Sequence, residues 1–339
     1  MFHKAYSLII LTMSISVIIP VKNRAHLLEA TLNNILAQSL VPKEIIVVDD
    51  HSTDNIQEVK ERFSDKIIFI ENSGTGPGAA RNTGYLASTG KYIQFFDSDD
   101  LMTNDKLEIQ FNQLEMSSSA MAYCPHVKAV EAERGDWKQT DTILYFKPFS
   151  KRLRYDQWVI RGACMITQAC LFKRDLIQDS GLWRTDLMPH EDLEFLFRIG
   201  KIEPYPIHSN IPAVIYRQHS FQITDKSTTV DSRALDHLKA LSLIYENVKL
   251  GRGYTFIDKL IIENKILRTT SFVQPESRPP DFSSIKYSSI KKNGYPIQKI
   301  IDRVQRVLTN SDWLFFHGVN NDPVQFQSYI NKIGKFVAL

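Results

Sequence analysis

The side chains most suggestive of chemistry are three carboxylates that directly follow one apolar segment. Asp97, Asp99 and Asp100 come after the segment 91–96, whose aromatic and β-branched residues predict a buried strand. Carboxylates this close repel one another unless a positive charge lies between them. Their oxygen atoms suit a hard divalent cation, so the sequence predicts a metal site. The alternative is that Asp99 or Asp100 caps a helix beginning near Thr103.

A second pair of acids ends a second apolar segment. Asp49 and Asp50 follow the segment 44–48, whose pattern also predicts a buried strand. In an open α/β sheet, the carboxyl ends of parallel strands meet at one edge, and ligands bind there. We therefore expect these two acids to face the same cleft as Asp97 and Asp99.

Alternating strand and helix patterns supply the elements that would position these acids. Apolar segments predict strands at 16–20, 44–50, 66–70 and 91–97, and helical spacing predicts helices at 26–38, from 52 to about 63, and at 79–88. The pattern continues with a helix at 106–115, a strand at 121–124, an irregular segment at 125–140, a helix through 193–199, a strand at 214–219 and helical structure over 231–270. This alternation indicates an α/β fold with a mostly parallel sheet and right-handed crossovers.

A glycine-rich segment precedes the third predicted helix. Gly74-Thr-Gly-Pro-Gly78 matches neither the GxGxxG fingerprint nor a P-loop, so it gives no support to dinucleotide binding, and a plain turn explains it equally well. Arg81 and Asn82 follow it. These two side chains could hold a phosphate or position the carboxylates, or they could lie on the helix surface.

A third acidic pair, Glu191 and Asp192, lies in the first turn of the predicted helix through 193–199. Acids in this position are also favoured by the helix dipole, so simple capping is an alternative to a chemical role.

Composition limits the classes of protein that fit. The chain has 339 residues, of which 43% are hydrophobic and 23% charged, as in ordinary globular proteins. Its net charge of +3 is too balanced to indicate nucleic acid as the main partner. Three cysteines (Cys124, Cys164 and Cys170) without CxxC spacing predict reduced thiols, a cytoplasmic location and no structural zinc.

The N-terminus resembles a signal peptide or anchor without matching one fully. Residues 2–20 are rich in apolar side chains and include Lys4, but Ser7, Thr12 and Ser14 interrupt them. The unbroken apolar length falls short of the roughly 18 residues needed to span a bilayer. We expect residues 1–13 to be a short leader that precedes the first core strand.

Six motifs follow one another in a family-specific order. They are Ser16–Asn23, Val47–Asp54, Gly78–Gly84, Phe96–Asp100, Glu191–Asp192 and Tyr216–His219. In this order the chain resembles the family 2 glycosyltransferases with the GT-A nucleotide-sugar fold. The resemblance implies a GT-A domain over 14–225, with a Rossmann-like, mostly parallel central sheet flanked by helices, and a mainly helical region over 226–339.

The resemblance also implies roles for individual residues. Asp50, with Asp49 beside it, would recognise the nucleotide base. Asp97 would lie near the ribose and the metal, and Asp99 would be the main ligand of Mn²⁺ or Mg²⁺. His219 would approach the metal or the diphosphate. Other members of the implied nucleotide-sugar site are Pro20, Lys22, Asn23, Arg81, Ser98 and Glu191. Asp192 would be the catalytic base. Lys22 departs from the family pattern, because an aromatic residue commonly stacks on the base there; a lysine could instead reach a phosphate.

The residue types suit the implied reaction. A metal held by Asp99 would stabilise negative charge on a departing nucleoside diphosphate. One base, for which Asp192 is the candidate, would take the proton from an acceptor hydroxyl. A single displacement of this kind inverts the anomeric configuration.

The resemblance points to a nucleotide-sugar donor, by default a UDP-sugar, and to a glycan or glycolipid acceptor. The leader or the Lys-rich C-terminal region could contact a membrane peripherally. Alternatively, the C-terminal lysines form a solvated helix face. A catalytically silent nucleotide-binding scaffold and another nucleotidyl-transfer enzyme are the competing classes. The sequence shows no chemistry beyond residue 225, where Asp302 and His317 are expected to be ordinary surface or packing residues.

Overall fold

The structure is a computed structural model that describes residues 14–133, 136–145, 153–162, 166–209, 213–219, 230–270, 272–273 and 316–318. The predicted leader at 1–13, Cys164 and Asp302 lie outside the described residues. Most of the region 226–339 after residue 273 also lies outside them.

The described chain alternates strands and helices, as the sequence predicts. The strands are β1 (Ile15–Val21), β2 (Glu44–Asp49), β3 (Ile68–Glu71), β4 (Tyr92–Phe95), β5 (Leu101–Met102), β6 (Met121–Tyr123), β7 (His126–Glu133), β8 (Asp136–Tyr145), β9 (Cys170–Lys173), β10 (Ile207–His208), β11 (Val214–Gln218) and β12 (Phe316–Gly318). The helices are α1 (Ala25–Leu36), α2 (Ile56–Phe63), α3 (Gly76–Ala87), α4 (Lys106–Glu115), α5 (Tyr155–Arg161), α6 (Arg174–Ser180), α7 (Glu191–Ile202), α8 (Val230–Leu250) and α9 (Phe256–Thr270), with a short 3₁₀ turn at Thr167–Ala169.

The main sheet has seven strands in the order β10-β6-β9-β4-β1-β2-β3. Strands β4, β1, β2 and β3 are parallel, whereas β9 runs antiparallel to both β4 and β6. Strand β1 is buried almost throughout because helices cover both faces of the sheet, which explains its continuous apolar sequence. The expected α/β fold with a mostly parallel central sheet is therefore confirmed.

A second sheet was not expected. Its order is β12-β8-β7-β11-β5, and it contains the segment 125–140 that the sequence analysis expects to be irregular. That expectation is wrong, because β7 and β8 form an antiparallel hairpin and β7 also pairs in parallel with β11. The strands are stabilised by partners distant in sequence, which a local charge pattern does not reveal.

One helix start differs from the sequence expectation, and another agrees with it and decides an alternative. Helix α3 begins at Gly76 rather than 79, with Pro77 in its first turn, where proline's missing N–H costs nothing. Helix α4 begins at Lys106 and has Asp105 as its N-cap residue. The alternative reading of Asp99 or Asp100 as a cap for a helix near Thr103 is thus excluded.

The last described helices pack onto the sheet layer. Leu238 and Leu241 of α8 and Ile262 of α9 belong to the same buried cluster as Phe195 of α7 and Phe95 of β4. Helix α8 thereby brings residues from beyond position 230 next to the loop that precedes α7. Of the helices that the structure describes, none is both long and apolar enough to cross a bilayer.

Candidate active site

A cavity of about 860 Å³ opens at the carboxyl ends of the central strands. One part of its wall is formed by the loop after β1 and the start of α3, and another part by the loop 185–190, the first turn of α7 and one residue of α8. The polar or charged residues that line it are Lys22, Asn23, Arg24, Asp50, Thr75, Arg81, Asp97, Asp99, Thr167, Gln168, Thr185, Asp186, His190, Glu191, Asp192, Tyr216 and Asp236. The acids at 97 and 99 and those at 191 and 192 therefore line one cavity. Of the pair 49–50, only Asp50 lines it.

The acidic turn after β4 holds three carboxylates whose oxygens approach within 4.8 Å of one another. Burial raises the pKa of Asp97, and although the Arg81 charge opposes this, the nearby Asp99 carboxylate adds to it. Burial together with the charges of Asp99 and Asp97 raises the pKa of Asp100 well above its usual range. These shifts are the expected response of carboxylates crowded into a site of low polarity.

Two basic side chains compensate Asp99 through a single oxygen. Arg24 Nη1 and His219 Nε2 both lie 3.1 Å from Asp99 Oδ2. Burial on its own would raise the pKa of Asp99, but the His219 hydrogen bond and the Arg24 charge outweigh it and lower the pKa. Both contacts are made by Oδ2, so Oδ1 is the oxygen from which Asp99 could bind a cation.

Asp100 has a supporting role and does not line the cavity. Its Oδ1 accepts a hydrogen bond from the backbone N–H of Arg217 at 2.9 Å, and its Oδ2 accepts one from Gln168 Nε2 at 2.8 Å. The buried Arg217 guanidinium donates to the carbonyl oxygen of Asp99. The motif at 216–219 thus holds the acidic turn in shape through Arg217 and His219.

The donor set fits a hard divalent ion. Asp97 and Asp99 are cavity-lining carboxylates on one turn, and their oxygens are the ligand type that Mn²⁺ and Mg²⁺ prefer. His219 lies behind Asp99 with a side chain that is only 1% exposed, so in this conformation it faces the carboxylate rather than the cavity.

Arg81 connects the two sides of the cavity. Its Nη2 lies 3.0 Å from Asp97 Oδ1, and its Nη1 lies 2.9 Å from Glu191 Oε1. The side chain is 7% exposed and its guanidinium lies 4.5 Å from the centre of the Trp183 ring. One buried cation therefore fixes the distance between the acidic turn and the first turn of α7.

Asp192 differs from the other two acids in the first turn of α7, Glu191 and Glu194, which form ion pairs with Arg81 and Arg198. Its Oδ1 accepts a hydrogen bond from the N–H of Leu193 at 2.7 Å, but it makes no ion pair with any residue that the structure describes. Burial raises the pKa of Asp192, and the Leu193 amide and the Arg81 charge only partly offset this. Such a carboxyl can exchange a proton closer to neutral pH than an exposed aspartate can.

The two acids that end β2 point in different directions. Asp50 lines the cavity and binds Lys22 Nζ at 3.3 Å, Asn72 Nδ2 at 2.6 Å and the N–H of Gly76 at 3.0 Å. It thereby holds the turn that opens α3, where Gly76 has the positive φ of 85° that favours glycine.

Asp49 instead faces helix α2. Its oxygens bind the N–H of Ser52 at 2.9 Å and Lys60 Nζ at 2.8 Å. It lies outside the cavity lining, so any effect of Asp49 on a ligand would pass through the loop that follows β2.

The residues singled out from the sequence divide into two groups. Those that line the cavity are Pro20, Lys22, Asn23, Asp50, Arg81, Asp97, Asp99, Glu191 and Asp192. Asp49, Ser98 and His219 do not line it; Ser98 is fully buried, and its carbonyl oxygen accepts a hydrogen bond from Thr31 at 3.0 Å.

Several cavity residues were missed, and three of them contact the acidic turn or the loop 185–190 through charged or polar groups. Arg24 carries a usable signal, since it is a cation in the loop directly after a predicted strand. Gln168, whose Nε2 lies 2.5 Å from Asp97 Oδ2, and Asp236 on α8 carry none, because no local pattern links them to the acidic turn.

Comparison with known proteins agrees with this architecture. Residues 16–181 match the family described as Glycosyl transferase family 2. Residues 16–181 are therefore similar to a family 2 glycosyltransferase domain. The matched residues include the acidic turn, the loop after β1 and Arg81, while α7, β11 and α8 follow them.

The curated relatives differ in length from this chain. An uncharacterized glycosyltransferase of Rickettsia prowazekii is 26% identical over 294 residues, which cover 83% of this chain and 81% of that protein. Two other rickettsial proteins, 38% and 39% identical over 119 residues, match along only 20% of their own length. The chain thus spans about a fifth of those relatives.

Solved glycosyltransferase structures share the fold of this chain, the GT-A fold. TarS of Staphylococcus aureus (residues 1–349, in complex with UDP-GlcNAc) superposes with a TM-score of 0.58 at 16% identity, covering 96% of this chain and 80% of that chain. The mannosyltransferase PcManGT of Pyrobaculum calidifontis, in complex with GDP-Man and Mn²⁺, gives a TM-score of 0.51 at 18% identity. The superposition covers 96% of this chain and 86% of that chain.

Proposed function

We propose that this chain is an inverting glycosyltransferase that moves a sugar from a nucleotide-diphosphate donor to an acceptor hydroxyl. One observation carries the proposal. The metal-type carboxylates Asp97 and Asp99 line the same cavity as Asp192, a carboxyl with a raised pKa and no cationic partner among the described residues. A donor site and a base that share one cavity are what an in-line displacement requires.

The proposed step forms one bond and breaks one. The acceptor oxygen attacks the anomeric carbon while Asp192 takes its proton, and the bond from that carbon to the diphosphate oxygen breaks with its electron pair. Glu191 is held by Arg81 at 2.9 Å, so it is the less suitable base of the two acids. Because one carboxyl acts on the acceptor side and no covalent intermediate is needed, the configuration at the anomeric carbon inverts.

A divalent ion bound by Asp97 and Asp99 would supply Lewis-acid stabilisation of the negative charge on the leaving diphosphate. Arg24 and Arg81 lie beside the same carboxylates and would orient the phosphates. Mn²⁺ or Mg²⁺ is proposed because both favour oxygen donors, and a structural neighbour was solved with Mn²⁺.

A UDP-sugar is the proposed donor, supported by the UDP-GlcNAc complex of TarS, with a GDP-sugar as the alternative supported by the GDP-Man complex of PcManGT. Lys22 lines the cavity, is 53% exposed and pairs with Asp50. It would contact the nucleotide by charge rather than by stacking. Asp50 keeps its proposed role in recognising the base.

Calorimetric titration with UDP, GDP and TDP, with and without Mn²⁺, tests the donor site. We expect metal-dependent binding of one nucleotide that is lost in Asp99→Ala. Hydrolysis of the matching nucleotide sugar by water tests the base, and Asp192→Asn should abolish it while leaving nucleotide binding within about twofold. A folded protein that binds none of the three nucleotides would instead support the silent-scaffold class. If the Asp192→Asn protein hydrolysed the nucleotide sugar at the wild-type rate, Asp192 would not be the base.

Action on a glycan or glycolipid at the cytoplasmic face of a membrane is also part of the proposal. Leu250 and Phe256, at the turn between α8 and α9, are 79% and 77% exposed, and Lys249 and Arg252 lie beside them in sequence. Exposed apolar side chains flanked by cations suit an anionic lipid surface. Co-sedimentation with phosphatidylglycerol vesicles should fall in Leu250→Ser/Phe256→Ser, and equal co-sedimentation by wild type and variant would contradict this contact.

A further inference from the structure

The two walls of the cavity differ in charge. Every cation that lines it among the described residues, namely Lys22, Arg24 and Arg81, comes from the loop after β1 or from α3. Arg24 and Arg81 contact the acidic turn, where a diphosphate is proposed to bind, and Lys22 pairs with Asp50. The wall formed by the loop 185–190, the first turn of α7 and α8 contributes no lysine or arginine to the described lining.

Two carboxylates on that second wall have no ion-pair partner among the described residues. Asp186 is paired with Arg184 at 2.7 Å and Lys239 at 2.8 Å, and Glu191 is paired with Arg81. Asp192 and Asp236 remain. Asp236 is partly buried, and its carboxylate accepts a hydrogen bond from the backbone N–H of Met188.

The histidines beside Asp236 do not supply a positive charge at neutral pH. The His190 ring stacks on the His237 ring with 4.5 Å between centroids, which joins the end of the loop 185–190 to α8. Burial lowers the pKa of His190, and burial with the neighbouring His190 lowers the pKa of His237 to about 4. The wall therefore presents hydrogen-bonding groups and two carboxylates that form no direct ion pair among the described residues, with the Lys239 charge acting on Asp236 only from a distance.

We propose that this wall binds an uncharged sugar of the acceptor, that Asp236 accepts a hydrogen bond from one of its hydroxyls, and that acceptors bearing a phosphate or carboxylate beside the reacting hydroxyl are excluded. This inference rests on the proposed function, with Asp192 as base. A carboxylate oxygen is a strong acceptor for sugar hydroxyls, whereas a second anion near Asp192 and Asp236 is repelled. Acceptor choice is then set by α8, which lies beyond the residues that match the family.

The test compares transfer with hydrolysis in the same protein. The donor is the nucleotide sugar that the wild type hydrolyses fastest in water. The acceptors are the methyl glycosides of glucose, galactose, mannose and N-acetylglucosamine, together with methyl glucuronide and the 6-phosphates of the four glycosides. We expect transfer to at least one neutral glycoside, with kcat/KM at least tenfold above that of its anionic counterpart.

Asp236→Asn keeps an amide oxygen for the Met188 N–H but removes the charge. It should raise the KM for the neutral glycoside about tenfold or more, since a hydrogen bond to a charged group is lost. It should also lower the ratio of kcat/KM for the neutral glycoside to that for its anionic counterpart. The rate of nucleotide-sugar hydrolysis should stay within about twofold of wild type. Glu246→Gln is the matched control on the same helix, because it removes the charge of a carboxylate that lies outside the cavity lining, is 61% exposed and pairs with Lys249 at 4.0 Å; its acceptor KM should stay within about twofold of wild type.

Several results would overturn the inference. Equal or better use of the anionic acceptors would refute the charge argument, and hydrolysis without transfer to any neutral glycoside would refute the sugar site. If Asp236→Asn slowed hydrolysis as much as transfer, Asp236 would only anchor the loop 185–190. If Glu246→Gln raised the KM equally, the effect would not be specific to Asp236 and the sugar contact would be refuted. Failure to hydrolyse any nucleotide sugar or to bind any nucleotide would overturn the proposed function itself, and this inference with it.

Discussion

Replacing Arg81 with methionine should destabilise the fold and make its stability depend strongly on pH. Arg81 is 7% exposed and pairs with two carboxylates, Asp97 at 3.0 Å and Glu191 at 2.9 Å. Methionine fills similar space beside Trp183 but leaves both acids without their cation. Removing one partner of a buried ion pair costs about 3–5 kcal/mol. The Asp97 side chain is 28% exposed and can be partly rehydrated, whereas that of Glu191 is 9% exposed and cannot. We therefore expect the free energy of unfolding to fall by about 3–4 kcal/mol at pH 7.

The pH dependence follows from the direction of the pKa shifts. Burial already raises the pKa of Asp97 and of Glu191, and Arg81 is the main charge opposing this. Without Arg81 both folded-state pKa values rise further above the unfolded-state values of about 4. The folded state then binds more protons than the unfolded state, so the free energy of unfolding falls as the pH rises. The Arg81→Met protein should lose more stability at pH 8 than at pH 5.

Urea denaturation of both proteins at pH 5, 7 and 8 measures these values. Arg62→Met is the matched control, since Arg62 and Glu29 form an ion pair with both side chains about half exposed, and such pairs contribute about 0–1 kcal/mol. Arg81→Met/Glu191→Gln should recover part of the loss, because the stranded charge of Glu191 is removed. A loss in Arg81→Met no larger than in Arg62→Met, or one that does not grow with pH, would refute the reasoning.

Three further perturbations test other parts of the site. Nucleotide-sugar hydrolysis should decline at low pH with an apparent pKa above the ordinary aspartate value of about 3.9, because burial raises the pKa of Asp192; a pH–rate profile with its limb at or below that value would contradict this. Gly78→Ala should cost about 1–3 kcal/mol of stability, since its Cβ would lie 2.5 Å from the carbonyl oxygen of Arg184; an unchanged urea midpoint would show that the contact relaxes. Lys22→Tyr should tighten UDP binding about fivefold or more by allowing stacking on the base, and calorimetry giving an unchanged or weaker affinity would argue that Lys22 is the better nucleotide contact.

The sequence was most informative where the chemistry is local. Asp97 and Asp99 could be placed at a sheet edge because a strand of aromatic and β-branched residues immediately precedes them. The same logic placed Asp50 at this edge, yet it placed Asp49 there too, and the structure turns Asp49 toward Lys60. Neighbours in a strand alternate in direction, so two adjacent acids seldom serve one ligand directly.

The features missed from the sequence depend on contacts between distant segments. The β7–β8 hairpin is stabilised by pairing with β11 about 90 residues away, which no local periodicity reveals. Gln168 reaches Asp97 from the 3₁₀ turn that precedes β9, and Asp236 meets the loop 185–190 because α8 packs beside α7. Helix α3 was started too late because Gly76 and Pro77 have the composition of a turn, although proline is favoured in the first turn of a helix.

The way Asp97 and Asp99 are neutralised bears on how the protein would tolerate a chelator. Arg81 and Gln168 bind Asp97, and Arg24 and His219 bind Asp99, so each acid already has two protein partners. The repulsion between the acids is thus balanced by the protein's own groups, and folding does not need an ion to offset it. Treatment with EDTA should leave the melting temperature nearly unchanged while removing nucleotide binding, and added Mn²⁺ should restore binding without refolding. The ion would then behave as an exchangeable co-substrate rather than as part of the scaffold, and activity in a cell would follow the local supply of the metal.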